Sequence, residues 1–315
     1  MRQRIKGVFQ SGIGMQRLVS PFVLVICGVA WGLSVPFGKI SISTGYHPLG
    51  LIFWQVILVA LALLPTIVMR GRRPRTDRKA LFYYLVLGLI GTLLPNSIGL
   101  YVSSKLPAGI ASIILSSIPL FSVAVALSLG SEIFSLKRLC GVLMGLVAVI
   151  LLVAPETSLP DPALSGVVLI GLLGPLLYAM EGNYVASFTP RGLDPVTALF
   201  GASIVTAVLC LPLVVPTGLF IDPFITWGKA EWALVAGSLL HAAAYTGYIW
   251  LLGRAGAVFS SQISYVVTLA GVGASALLLS ESYSWTVWLA LLSMIGGMAL
   301  VQPRKADPVL AESAA

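Results

Sequence analysis

Charge is what this sequence has least of. Only 10% of its 315 residues are Asp, Glu, Lys or Arg, while 58% are apolar and the mean hydropathy is +0.99. A water-soluble globule cannot hide that much hydrocarbon. Cysteine is scarce too. Cys27, Cys140 and Cys210 lie within or at the edge of apolar runs and form no CxxC pair. That excludes a disulfide framework, a zinc site or thiol redox chemistry, and leaves three small buried hydrophobes. Two histidines, His47 and His241, are too few to build a metal centre, and no metal or cofactor is expected. The aspartates all fall in loops or tails, and HExxH and GxSxG are absent. A membrane-embedded enzyme would need a nucleophile with its base, paired acids or a metal cluster, so this class is set aside.

What the chain does have is long apolar runs. Ten segments, at about 18–42, 49–70, 80–102, 107–130, 134–154, 165–187, 194–218, 230–251, 256–279 and 284–302, approach the roughly 20 residues that cross a bilayer as a helix. Unbroken apolarity excludes a transmembrane barrel, whose strands alternate. The expected class is an all-α integral membrane protein.

The basic residues set the orientation. With the N-terminus inside, Arg2, Arg4, Lys6, Arg17, Arg70, Arg72, Arg73, Arg75, Arg78, Lys79, Lys137, Arg138, Arg191, Arg254, Arg304 and Lys305 are all cytoplasmic, and only Lys39, Lys105 and Lys229 fall outside. Both termini are then expected in the cytoplasm, with the protein in the plasma membrane. A cleavable signal peptide fits the start poorly, because the apolar run continues through Pro36 to Lys39 and shows no small-residue cleavage site. The net charge of +8 is spread over short loops, so it reads as topology information and not as a nucleic-acid surface.

The chain also repeats itself. Shifted by 149 residues, SEIFS at 131–135 meets SESYS at 280–284, and Ala108, Ser112, Ile114, Leu120, Val123 and Leu129 meet identical residues. Shifted by 147, Pro48, Phe53, Leu64 and Pro65 meet Pro195, Phe200, Leu211 and Pro212. The organisation read from this is a basic N-terminus at 1–17, a five-helix repeat at 18–154, an extracytoplasmic linker at 155–164, a second repeat at 165–302 and a tail at 303–315. Because five is odd, the second repeat is expected to run inverted, as in many secondary transporters.

The WGLSVPFGK stretch at 31–39, and ILSSIPLFSVAVALSLGSEIFSLKRLCGVLMGLVAVILLV at 114–153 with its weaker echo at 263–302, resemble EamA-type members of the drug/metabolite transporter superfamily. The resemblance covers nearly the whole chain. It implies a central cavity enclosed by the first four segments of each repeat, with the fifth of each standing outside. It implies transport of amino acids, sugars, nucleotide-linked metabolites or toxic amphiphiles, with export the more usual direction. The second repeat departs from the first at Tyr178, which stands in place of Trp31, and at Glu181, in place of Ser34.

A polar group within hydrocarbon is costly, so each deep one needs a role. Glu181, with Tyr178 one turn before it, is a candidate for proton coupling or for binding a substrate amine; the competing account is a neutral structural acid. His241 shares a helix face with Tyr245 and Tyr248 and is a candidate proton relay or hydrogen-bonding group, against a plain interhelical contact. Asn96, Gln262, Tyr265 and Trp31 are candidates for the cavity lining, Trp31 as an aromatic wall. Lys39 either snorkels to water or attracts ligand. Glu132 and Glu281 are expected to bond free amides at the helix start that follows each of them. Pro36, Pro95, Pro119 and Pro175 are expected to kink their helices around the cavity. Gly141, Gly145, Gly296 and Gly297 suit close packing or dimer contacts.

Together these expectations describe a secondary transporter, an exporter of small amphiphilic metabolites working by alternating access, whose partners are a small-molecule substrate, the lipid bilayer and protons, as monomer or homodimer. A sugar or nucleotide-sugar carrier of the same fold and a non-transporting membrane protein are the alternatives. The single intramembrane lysine argues against a phosphorylated substrate, and the lack of a large soluble segment argues against a receptor or scaffold.

Overall fold

The computed structural model describes residues 2–130, 135–153 and 161–300, and among them every regular element is helical. Helices are what a bilayer demands, since each satisfies its backbone polar groups within itself. Helix α1 runs Arg2–Ile42 and begins well before the expected position 18. Helix α2 spans Pro48–Met69. The third apolar segment is α3 (Arg78–Gly88), a π turn at Leu89–Leu93 and α4 (Leu94–Lys105). The fourth is broken into α5 (Ala108–Leu115) and α6 (Ile118–Ser128). Helix α7 is Leu136–Val153, and the sixth segment is α8 (Ser165–Gly171) followed by α9 (Leu173–Phe188). Then come α10 (Pro195–Val214), α11 (Lys229–Ser260), α12 (Ile263–Leu279) and α13 (Trp285–Leu300).

With the pieces of the third, fourth and sixth segments joined, seven helices among the described residues are long and apolar enough to cross a membrane. Ile263–Leu279 and Trp285–Gly297 are shorter apolar helices. The expected ninth segment is shortened because its first turn, 257–260, runs on from α11 across Gly256, whose φ of 79° and ψ of 170° turn the chain without ending the helix. A positive φ of that kind is open to glycine and costly for other residues.

The repeat is visible in how helices begin. Helix α2 opens with Pro48 after His47, whose Nδ1 accepts the Leu49 amide at 3.2 Å. Helix α10, at the matching position, opens with Pro195 after Asp194, which accepts the Thr197 amide at 3.3 Å. Proline lacks the amide that would be unsatisfied at a helix start, so it fits there without cost. Packing follows the same symmetry. Helix α1 packs on α11 and α12, while α9 packs on α4 and α6; α2 pairs with its counterpart α10, and α7 with α13.

Helices α7 and α13 approach closely through glycine: a Cβ on Gly297 would meet the Gly141 carbonyl oxygen at 2.6 Å, and one on Gly296 would meet Met144 at 2.7 Å. The glycines expected to serve packing therefore pack the two repeats' last helices on each other. Cys140, expected to be buried, is exposed on α7, while Cys27 and Cys210 are buried as expected. The reason is that α7 lies at the periphery and turns Leu139, Cys140 and Leu143 outward. Glu132 lies outside the described residues, as do 303–315 and most of the expected linker at 155–164.

Candidate functional site

A cavity of about 720 Å³, counting its open mouth, lies where α1, α2, α4, α5, α8, α9 and α11 converge. Its lining residues come from the halves of these helices nearer the turns at 43–47 and 106–107. Trp31, Tyr178 and His241 stand at its deep end, and Gly38, Leu100, Ser103 and Gly171 stand nearer its mouth. A side cavity of about 350 Å³ shares Ser34, Gly38, Gln55 and Leu100 with it and extends between α1, α2 and α11 toward Ser41 and Ser238. No Asp, Glu, Lys or Arg lines either space.

The polar groups in the wall are held by one another. Tyr178 Oη donates to Asn96 Oδ1 at 2.7 Å, and Asn96 Nδ2 donates to Gln55 Oε1 at 3.4 Å, so three helices share one chain of hydrogen bonds. Asn96 sits where it does because Pro95 opens α4 directly after the π turn. His241 is 3% exposed, and its Nε2 has no hydrogen-bond partner among the described residues. Trp31 is the hub of the deep end. Its ring lies 5.6 Å from Tyr178, 5.7 Å from His241, 5.8 Å from Tyr245 and 5.6 Å from Tyr248, three of the four contacts edge-to-face. Such geometries align ring edges with ring faces and fix the floor.

Beneath that floor the protein is solid. Glu181 is fully buried, with Tyr245 Oη donating to its Oε1 at 3.3 Å and Oε2 unpartnered. Gly91, in the π turn, packs flat against this pair, since a Cβ there would come within 2.1 Å of Tyr245 Oη and 2.9 Å of Glu181 Cγ. A π turn inside a helix frequently marks a functional site. Tyr83, Tyr84, Leu87 and Leu251 fill the next layer, all at most 2% exposed.

Of the residues expected to contact substrate, the structure brings Trp31, Asn96, Tyr178 and His241 to the cavity. Glu181 and Tyr245 form the layer under its floor. Gln262 and Tyr265 lie elsewhere. Tyr265 packs beside Val258, Val272 and Val287, because α12 turns that face toward α6 and α13 and away from the cavity. Gln55 escaped the sequence reading, although an amide inside the apolar run 49–70 carried the same signal as Asn96.

The ends of the bundle are tied across elements. At one end Lys39 Nζ donates to the Leu106 carbonyl at 2.7 Å, which replaces the expected snorkelling to water. Nearby, Glu281 accepts the Ala108 amide at 2.8 Å and the Gly109 amide at 3.1 Å, and Tyr283 Oη donates to it at 2.6 Å. The expectation that Glu281 serves its own following helix is corrected: it caps α5 of the other repeat. At the other end Arg72 bridges Asp194 at 2.6 Å, Arg75 Nη1 donates to the Arg191 carbonyl at 2.9 Å, and Tyr83 and Thr189 share a hydroxyl contact at 3.1 Å. Burial raises the Asp194 carboxyl, but hydrogen bonds from Thr197 and Arg72 outweigh it and leave it below the ordinary aspartate value.

An uncharged cavity at the junction of two matching helix sets, tied at both ends, is a compartment for a solute. Comparison with known proteins agrees. A solved structure titled only "Crystal structure of protein" matches at 19% identity with a TM-score of 0.61, over 93% of this chain and 99% of that one, a likeness of fold. No curated protein matches. The description of the EamA-like transporter family fits residues 19–154 and again 164–302. The chain therefore belongs to the EamA-like transporter family, as a membrane transporter built of two EamA repeats.

Proposed function

We propose that the protein is a secondary transporter that exports small amphiphilic metabolites, aromatic or cationic compounds and amino acids among them, by alternating access. The observation that carries this reading is the cavity itself. It is walled by Trp31, Tyr178, His241, Asn96 and Gln55, lacks charged side chains, and gives way at its deep end to a closed layer around Glu181 and Tyr245. A space that admits a solute to mid-depth and stops it there is one half of an alternating cycle, and the inverted second repeat supplies the other half by exchanging packings. With the N-terminus in the cytoplasm, the cavity faces outward, the state that releases an exported solute. Both termini are cytoplasmic and the membrane is the plasma membrane, following the basic residues. The neutral lining supports amphiphiles over sugar phosphates, which need converging cations.

The test is counterflow in proteoliposomes loaded with labelled aromatic amines and amino acids. Exchange above protein-free vesicles that falls in Trp31→Ala and His241→Ala supports the reading. No exchange of any solute in that panel sinks it.

A further inference from the structure

The fourth apolar segment breaks in the middle, and the break leaves acceptors without donors. Helix α5 ends at Leu115 and α6 begins at Ile118, with Ser116 and Ser117 in a turn between them. The Ser116 amide goes to the Ile113 carbonyl and the Ser117 amide to Ile114, so Ser112 loses its helical donor; the Thr268 hydroxyl of α12 takes its place at 2.9 Å. The Leu115 carbonyl would be served by residue 119, which is a proline and has no amide. The Ser116 carbonyl would be served by Leu120, whose amide bonds to Ser117 instead. Among the described residues neither carbonyl has a hydrogen-bond donor. The Ser116 and Ser117 hydroxyls cannot help, since they donate to Ile113 and Ile114.

An unserved carbonyl at membrane depth is tolerated where it lines a cavity, and Leu115 lies in the wall of this one. The carbonyl end of a helix also carries partial negative charge. A second, separate group at the deep end is likewise unserved, His241 Nε2, in a side chain only 3% exposed. Trp31, beside His241, adds an aromatic wall of the kind that attracts cations. The acidic side chain nearest the floor, Glu181, is covered by Tyr245 and does not reach the space.

We infer that the break of α5–α6 and His241 form a binding site for an ammonium group, so that the substrates are amphiphiles bearing a primary amine, held by carbonyl dipoles and an imidazole nitrogen instead of by a carboxylate. The inference rests on the transporter reading and narrows its substrate class. The ammonium offers three N–H donors, which matches a site composed of acceptors.

The experiment compares 2-phenylethylammonium with 2-phenylethanol, equal in size and differing in the donor group, as ligands of the full chain in nanodiscs by calorimetry. The wild type should bind the ammonium at least about tenfold more tightly, a difference of roughly 1.4 kcal/mol. Pro119→Ala restores an amide opposite the Leu115 carbonyl and should erase most of that preference while leaving binding of the alcohol unchanged. Equal binding of the two probes by the wild type, binding of neither, or an unchanged preference in Pro119→Ala overturns the inference. The wild-type comparison decides even if the variant fails to fold. Counterflow of other solutes in the same preparation would show that the transporter reading survives such a failure.

Discussion

Glu281 of the second repeat caps a helix of the first: its two carboxylate oxygens accept the Ala108 and Gly109 amides, 173 and 172 residues away in sequence. The contact staples α5 to the turn between α12 and α13, at the same end of the bundle as the tie from Lys39 to the Leu106 carbonyl. Glu281→Ala would strand two amides at a helix start and release the Tyr283 hydroxyl. We expect a loss of about 1–3 kcal/mol, read as a lower thermal midpoint of the detergent-solubilised protein. Glu281→Gln, which retains one acceptor oxygen, should lose less. Equal midpoints for the wild type and Glu281→Ala would show that the cap is not holding the repeats together.

The opposite end should respond to acid. Asp194 caps α10 through Thr197 and bridges Arg72, and its folded carboxyl lies below the ordinary aspartate value. A lowered folded pKa means that the stabilisation is complete above the unfolded value and is lost as pH falls through the folded one. Asp194→Asn should therefore lower the thermal midpoint at pH 7, and the gap from wild type should close as the pH drops below about 4. The size of the loss, about 1 kcal/mol, is that of an N-cap with a partly exposed ion pair. A gap that persists unchanged into acid would assign the effect to packing.

Binding should depend on the chain of hydrogen bonds from Tyr178 through Asn96 to Gln55. Tyr178→Phe deletes one neutral hydrogen bond and leaves the ring, a change of about 0.5–1.5 kcal/mol. That corresponds to a rise in the half-saturating concentration of about two- to tenfold in counterflow. Gln55→Leu should act in the same direction, because it frees Asn96 to rotate. If both variants keep the wild-type concentration dependence, the amides line the space without touching the solute.

These sites differ in how far the sequence discloses them. The repeat, the paired helix starts at Pro48 and Pro195 and the helical class follow from local pattern, since hydrophobic runs and a proline at a helix start are set by neighbours in the chain. Trp31, Tyr178, His241 and Asn96 stand out as polar or aromatic groups deep in hydrocarbon, and all four reach the cavity. Tyr265 carries the same signal but faces α6 and α13, because polarity alone does not say which side of a helix meets the cavity. Pro119 announces a defect in its helix without locating it: the interruption lies at Ser116–Ser117, where two hydroxyls can take over backbone carbonyls. The partner of Glu281 is hidden for a simpler reason, since a contact across 173 residues has no local trace.

The layer under the cavity floor supplies the sharpest test of movement. Gly91 lets the π turn of the third segment lie against Tyr245 and Glu181, and a Cβ there would stand 2.1 Å from the tyrosine oxygen and 2.9 Å from Glu181 Cγ. Contacts that short cannot persist, so Gly91→Ala must displace the Tyr245 hydroxyl or push α3 away from α9. Either shift disturbs the layer that has to open if the solute is to pass to the other side. Glycine to alanine otherwise favours a helix by up to about 1 kcal/mol, and Gly273→Ala, on α12 with open space around it, is the matched control. We expect Gly91→Ala to be expressed and folded but to exchange substrate at less than about one tenth of the wild-type rate, a barrier increase of some 1.4 kcal/mol. Gly273→Ala should exchange at the wild-type rate. Should Gly91→Ala exchange as fast as Gly273→Ala, the Tyr245–Glu181 layer is not the barrier on the path, and the closed end of the cavity must be opened by other residues.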